Sequence, residues 1–149
     1  MYYVYSLRCN EAIQLLDGFC VRNKKISPFE SVHALLWSFF KGSGAYHKVV
    51  LSKNGVDLCV AEVIEKCPFL RFLPDTCVHI GPCFTPVEHR GNGYYPMLLK
   101  YIASCNKDKE CYMFVHMDNM ASIRGIEKAG FNKVGVCKKF LNIYYPVSE

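Results

Sequence analysis

The chain has 149 residues and a formal net charge of +5 at pH 7, with 51% apolar and 21% charged residues. This length and composition predict one compact domain spanning residues 1–149 and exclude a wholly disordered chain. The basic residues are scattered rather than gathered in a stripe, so no nucleic-acid partner is expected, and no apolar run reaches the roughly 20 residues that a membrane helix needs.

The N-terminal part of the chain predicts one strand followed by two helices. A strand is expected from Tyr2 to Leu7 and a short helix from Asn10 to Leu16. The sequence Ser-Pro-Phe-Glu at 27–30 supplies an N-cap, a proline at the first helical position and the acidic residue of a capping box. These residues predict a helix that runs to about Phe40.

The rest of the chain predicts more strands, with two further helices. Asn54-Gly55 suits a two-residue hairpin turn, so residues 47–52 and 56–65 should pair. Helices are expected after the glycine-bearing segment at 91–93, ending near Ser104, and after Asn119. The remaining strands are expected at Thr76 to Thr85, Glu110 to Met117, Asn132 to Val136 and Lys139 to Tyr145. This order predicts an α+β or mixed α/β fold with helices on both faces of a sheet.

Residues 88–95, Glu-His-Arg-Gly-Asn-Gly-Tyr-Tyr, form a glycine-bearing turn ahead of an apolar helical run. Glycines let backbone N–H groups turn toward an anion, and the positive end of the following helix favours a phosphate there. A P-loop is excluded because Tyr94-Tyr95 rather than Lys-Ser or Lys-Thr follows Gly93. A dinucleotide fingerprint is excluded because Pro96 stands where a third glycine would be needed. We therefore expect a ligand that carries phosphates.

A second segment, residues 118–131, predicts a short amphipathic helix with clear ends. Asn119 is a good N-cap, and the isoleucines that follow form one apolar stripe. Gly130 suits the left-handed position after a helix, and Phe131 can cover Ile126 in a Schellman motif.

The first segment resembles the coenzyme A pyrophosphate loop of the GCN5-related N-acetyltransferases, and the resemblance extends over about residues 47–145. Arg90 and Gly93 match the loop pattern of that family, and Gly91 is a common companion. Tyr95 departs from the pattern, because it stands where the family has a small residue.

The second segment resembles the other coenzyme-binding motif of the same family, in which Asn119 is followed by Ser122 and then by Glu-Lys-Ala-Gly-Phe. The resemblance implies the GCN5-related fold, a central, mostly antiparallel sheet with helices on both faces. In that fold the strand before the phosphate loop and the strand after the next helix splay apart, and the cofactor lies in the opening.

The resemblance also implies an activity, the direct attack of an amine on the thioester carbonyl of acetyl-CoA. A backbone N–H on the strand end Cys83-Phe84-Thr85 would face the carbonyl oxygen that becomes negative in the transition state. Cys83 is then expected to pack rather than to attack. The cofactor-binding residues that the resemblance implies are Cys83, Phe84, Thr85, Arg90, Gly91, Asn92, Gly93, Tyr94, Tyr95, Asn119 and Ser122.

The groups that move protons stay open. Many family members carry a tyrosine acid where this chain has Ile126, so the thiolate leaves unassisted or through water, or Tyr144 or Tyr145 substitutes, or no acetyl group is transferred. Glu62 is the most informative candidate base because it lies on an otherwise apolar strand, although an edge-facing solvated carboxylate is the alternative. Two histidines, which could equally be packed side chains, complete the set of candidate bases: Glu62, His79 and His116.

Nine cysteines, with no Cys-x-x-Cys pair among them, favour reduced thiols over a disulfide framework or a metal site. The N-terminus lacks a basic region ahead of a long apolar one, so no signal peptide is expected. We therefore expect a cytoplasmic protein that uses acetyl-CoA and no metal.

The sequence thus predicts an acetyl-CoA-dependent N-acetyltransferase acting on a small-molecule amine, and resemblance of the Gly-Tyr-Tyr-Pro loop variant suggests an amino sugar. A non-catalytic acyl-CoA-binding or sensor domain is an alternative that Ile126 favours. An acyltransferase that uses a longer acyl group or a hydroxyl acceptor is another. The oligomeric state, with a homodimer as one option, also stays open.

Overall fold

The computed structural model describes residues 1–26, 46–65, 70, 72–74, 76–140 and 143–147. The strands are β1 (Tyr2–Leu7), β2 (Phe19–Lys25), β3 (Tyr46–Lys53), β4 (Val56–Glu65), β5 (Val78–Phe84), β6 (Cys111–His116), β7 (Asn132–Phe140) and β8 (Ile143–Pro146). The α-helices within these residues are α1 (Tyr94–Cys105) and α2 (Met120–Lys128), and a 3-10 helix spans Val87–His89. The predicted helix over 27–40 lies outside the described residues.

The eight strands form one sheet in the order β2-β3-β4-β5-β6-β1-β7-β8. Neighbouring strands are antiparallel except β5 and β6, which are parallel. The predicted fold class, an α+β or mixed α/β fold of the GCN5-related kind with helices on both faces, is wrong. The described chain is mostly sheet, its α-helices have only 12 and 9 residues, and both contribute to the same core on one face of the sheet.

The secondary structure differs from the prediction at residues 10–16, in β2 and in β7. The predicted helix from Asn10 to Leu16 is wrong, since no regular structure forms there. A helix this short needs packing to stabilise it, and Ile13 and Leu16 remain 38% and 67% exposed. The residues that follow form β2, which was not predicted, and β7 continues through 137–138, between the strands expected at 132–136 and 139–145.

The hydrophobic core lies between the helices and one face of the sheet. Alternate residues of β4, including Cys59 and Val63, contact this core, as do Leu98 on α1 and Ile126 on α2. Burying each large aliphatic side chain stabilises the fold by about 1.5–3 kcal/mol. The intervening residues of β4, among them Glu62, therefore lie on the opposite face of the sheet.

Local turn chemistry was predicted correctly at two places. Asn54 and Gly55 have φ of 52° and 81°, as a primed turn requires, and they join β3 to β4 in the predicted hairpin. After α2, the N–H of Gly130 donates to the carbonyl oxygen of Glu127 at 2.9 Å, and the N–H of Phe131 donates to that of Ile126 at 3.3 Å. These two bonds form the predicted Schellman motif.

The parallel strands β5 and β6 diverge. They pair only at Val78 with Cys111 and at His79 with Tyr112, although both strands continue beyond these residues. The carboxyl end of β5 thus has no hydrogen-bonded strand on its β6 side in the described chain. On its other side, β5 has a bulge, because Gly81 and Pro82 lie between its pairings with Ala61 and Val63.

Among the residues that the structure describes, no helix combines the length and apolar character needed to cross a membrane.

Candidate functional site

The loop between β5 and α1 turns at two glycines. Gly91 and Gly93 have φ of 80° and 78°, a left-handed conformation that glycine adopts without strain, and Gly93 is the N-cap of α1. A Cβ built on either glycine would meet nothing within 4 Å. Glycine is therefore needed here for the backbone conformation, and the space in front of the helix is open.

Side chains hold this loop and leave its amides free. Arg90 Nε donates to the carbonyl oxygen of Thr85 at 3.0 Å, which ties the loop to the end of β5. Asn92 Nδ2 lies 3.3 Å and 3.2 Å from the carbonyl oxygens of His89 and Arg90. Within the described chain, the backbone N–H groups of residues 91–95 donate to no backbone carbonyl. They are donors available to an anion at the positive end of α1.

The second helix begins beside this loop. Asn119 Oδ1 accepts a hydrogen bond from the N–H of Ser122 at 3.2 Å, so the predicted N-cap is confirmed. This bond fixes the amide side chain of Asn119 at the start of α2, where it also borders a cleft.

One cleft of about 620 Å³ brings the two sequence segments together. It lies between the end of β5, the glycine-bearing loop and α2. The predicted cofactor-binding residues that line it are Cys83, Phe84, Thr85, Arg90, Gly91, Gly93, Tyr94, Tyr95, Asn119 and Ser122. Asn92 is the predicted residue that does not line it and instead braces the loop. The lining residues that the sequence analysis did not assign are His89, Pro96, Ala121, Arg124, Gly125 and Lys128.

The cleft is lined by cations. Arg90, Arg124 and Lys128 border it, and no Asp or Glu of the described chain is among its lining residues. Arg124 and Lys128 are four residues apart and so lie on the same side of α2. The sequence alone shows this spacing in the helix that begins after Asn119, and it could have indicated that both cations belong to the predicted phosphate site. The cleft therefore suits a ligand with several phosphate groups.

Cys83 is the one thiol that lines the cleft among the described residues. Burial raises the pKa of this thiol well above its usual range, and the charge of a nearby Cys59 thiolate would raise it further. The thiol is therefore protonated at neutral pH and unsuited to nucleophilic attack. This agrees with the expectation that Cys83 packs rather than attacks.

The candidate catalytic residues lie outside the lining of the cleft. Glu62 is buried on the face of β4 opposite the core, where it accepts a hydrogen bond from the Tyr46 hydroxyl. Lys48 Nζ lies 4.0 Å from Glu62 Oε1. Glu62 stands opposite the bulge of β5, and it is close enough to Cys83 for its charge to raise the pKa of that thiol. The solvated edge position considered for Glu62 is thus wrong.

His79, His116 and Tyr144 come together in an aromatic cluster on the sheet. The ring of Phe114 lies 5.3 Å from His79 and 4.6 Å from Tyr144, measured between centroids. Tyr2 contacts both His116, at 5.1 Å, and Tyr144, at 5.4 Å. Phe114 alternates with core residues of β6, so this cluster lies on the sheet face opposite the helices.

No known protein family matches the chain, and no curated protein is significantly similar to it. A solved structure, described as that of a functionally unknown conserved protein from Staphylococcus epidermidis ATCC 12228, is similar to it with a TM-score of 0.55 and 12% sequence identity. The match covers 89% of this chain and 57% of that one, so this chain spans little more than half the length of that protein. At this identity the similarity shows a shared fold alone.

Proposed function

We propose that the protein is an acetyl-CoA-dependent N-acetyltransferase acting on a small-molecule amine. The observation that carries the proposal is the cleft that joins the glycine-bearing loop, the end of β5 and the start of α2. The free N–H groups of residues 91–95 and three cationic side chains suit the phosphate groups of coenzyme A. The resemblance of the loop and of α2 to the coenzyme-binding segments of GCN5-related N-acetyltransferases supports the same ligand.

The uncharged arm of the cosubstrate would follow the carboxyl end of β5. In the described chain this end has no strand partner on the side of β6, so the main-chain groups that face that side are available to pantetheine amides. A backbone N–H at this edge would stabilise the negative charge that develops on the thioester oxygen. The amine nitrogen would attack the carbonyl carbon, and the C–S bond would break to release coenzyme A.

Glu62 is the residue we propose as general base. It would take a proton from the substrate ammonium group and leave the amine free to attack. Its position opposite the β5 bulge, with Tyr46 as hydrogen-bond donor, supports this role over that of a solvated surface carboxylate. His79, His116 and Tyr144 share the aromatic cluster on that face of the sheet, where they would contact the acceptor.

The acceptor would be an amine that can pack against aromatic rings, and an amino sugar meets this requirement. The proposed cosubstrate is a metabolite of the cytoplasm, so the proposal implies that compartment. It requires no metal and no nucleic acid, and it is compatible with either a monomer or a homodimer.

A non-catalytic acyl-CoA-binding or sensor domain is the second candidate. The observation that favours it is Ile126, which is 1% exposed and packs in the core where many family members carry a tyrosine acid. A sensor would keep the cationic cleft and would transfer no acetyl group.

Release of the coenzyme A thiol from acetyl-CoA, measured with a panel of small amines that includes amino sugars, tests the proposal. We expect turnover with at least one amine and a loss of about 100-fold or more in Glu62→Gln, with acetyl-CoA affinity retained. Glu65→Gln is the matched control, because Glu65 lies on the same strand but pairs with Lys109 at 2.8 Å; it should keep full turnover. Acetyl-CoA binding without turnover for any amine would contradict the enzyme and favour the sensor.

A further inference from the structure

Tyr95 departs from the family's loop pattern, and the structure gives its side chain a defined position. It is the second residue of α1, and its ring packs against Gly125 of α2. A Cβ built on Gly125 would lie 2.5 Å from Cδ1 and 2.7 Å from Cε1 of this ring. Such distances are too short for real contacts, so the ring fits only because residue 125 is glycine.

The hydroxyl end of Tyr95 lies near two other residues of the cleft. Ser122 and Cys83 are close enough to influence the pKa of this hydroxyl, and all three residues line the cleft. The side chain therefore spans the distance from the start of α1 to the end of β5. Because the ring packs against α2 and against the core, it forms a wall of the cleft rather than a mobile surface group.

The chemistry of the cleft differs between its parts. Arg90, Arg124 and Lys128 supply positive charge, and the free amides of the loop supply anion donors. The wall formed by Cys83 and Tyr95 carries no charge, since burial raises the pKa of both groups above its usual value. A ligand with phosphates at one end and an acyl thioester at the other would turn its uncharged end toward this wall.

A second thiol, that of Cys59, lies near Tyr95 and Cys83. Cys59 is fully buried, and its thiol is close enough to Tyr95 and Cys83 to influence the pKa of both. Thr85 Oγ1 donates to Cys59 Sγ at 3.2 Å, so the Thr85 hydroxyl has a hydrogen-bond partner. Removal of the ring would leave space beside the uncharged thiols of Cys59 and Cys83.

We propose that Tyr95 is the specificity-determining residue of the cleft and restricts it to short acyl groups. The ring occupies the space that a longer chain would need, and Gly125 permits this position. The inference rests on the proposed function, because it assumes that the ligand is an acyl-CoA. It adds two points to that function: the length of the acyl groups that the cleft accepts, and the side chain that limits this length.

The test is calorimetric titration of the wild type and of Tyr95 variants with coenzyme A, acetyl-CoA and hexanoyl-CoA. We expect the wild type to bind hexanoyl-CoA about tenfold or more weakly than acetyl-CoA, and Tyr95→Ala to bring the two affinities within about threefold. Tyr95→Phe is the matched control: it keeps the ring and should keep the discrimination. If Tyr95→Ala does not fold, Tyr95→Leu gives the same test, because leucine keeps an apolar side chain against the core but is shorter than tyrosine.

The outcomes separate the two proposals. A wild type that binds none of the three ligands overturns the acyl-CoA site and this inference with it. If the wild type binds coenzyme A and acetyl-CoA, and Tyr95→Ala or Tyr95→Leu keeps the chain-length preference of the wild type, the acyl-CoA site is supported but the role of Tyr95 is overturned. Equal affinity of the wild type for acetyl-CoA and hexanoyl-CoA also overturns the role of Tyr95.

Discussion

Single residues set the shape of the cleft through contacts between parts of the chain that are far apart in sequence. Gly91 and Gly93 provide the left-handed turns of the loop, and this role follows from local sequence. The departure at Tyr95 is also visible in the sequence. Its partner Gly125 is not, because nothing local to α2 requires a glycine and only the packing of the two helices creates the need.

The contact of Gly125 with Tyr95 predicts a stability effect. Gly125→Ala adds a methyl group where the ring stands, so the free energy of unfolding should fall by about 1–3 kcal/mol even though alanine favours helices. Gly135→Ala is the matched control, because nothing lies within 4 Å of a Cβ built there, and it should stay within about 0.5 kcal/mol of the wild type. Urea denaturation measures both variants. Equal stability of the two variants would contradict the described contact.

Elements whose ends carry specific capping or turn residues were predictable. The Asn54-Gly55 hairpin and the cap and stop of α2 are each encoded within a few residues, and the structure has all of them. The helix expected from Asn10 to Leu16 had a plausible cap but no buried face, and β2 was missed because its strand pattern gains stability only by pairing with β3. Pairing partners are tertiary information that periodicity does not contain.

The cap of α2 gives a prediction that separates structure from binding. Asn119→Ala removes the acceptor for the Ser122 N–H and should lower the free energy of unfolding by about 1 kcal/mol. Asn119→Asp keeps a good N-cap and should keep the stability, but its negative charge borders a cationic cleft and should weaken acetyl-CoA binding by about tenfold. Thermal unfolding and calorimetry distinguish the two effects. Unchanged acetyl-CoA affinity in Asn119→Asp would show that the bound phosphates lie elsewhere.

At the scale of the whole molecule, the sequence predicted a single sheet-containing domain but not its architecture. β1 pairs with both β6 and β7, so the N-terminal strand lies inside the C-terminal half of the sheet. No local pattern indicates such an insertion. The described helices also lie on one face of the sheet, where the sequence predicted helices on both faces. The cleft was more predictable than the fold, because the loop and α2 each carry their own motif. The spacing of Arg124 and Lys128 was also present in the sequence, but only the structure shows that both side chains line the same cleft as the loop.

The central claim is that this cleft binds the phosphates of acetyl-CoA, and calorimetric titration of the wild type and two Gly93 variants with acetyl-CoA tests it most directly. Both variants share the strain of a side chain at φ 78°, but Gly93→Ala adds only a methyl group in open space, whereas Gly93→Glu adds bulk and negative charge in front of α1. We predict that the wild type binds, that Gly93→Ala binds within about tenfold of it, and that Gly93→Glu shows no measurable binding. Equal affinity of all three proteins, or no binding by the wild type, would contradict the account.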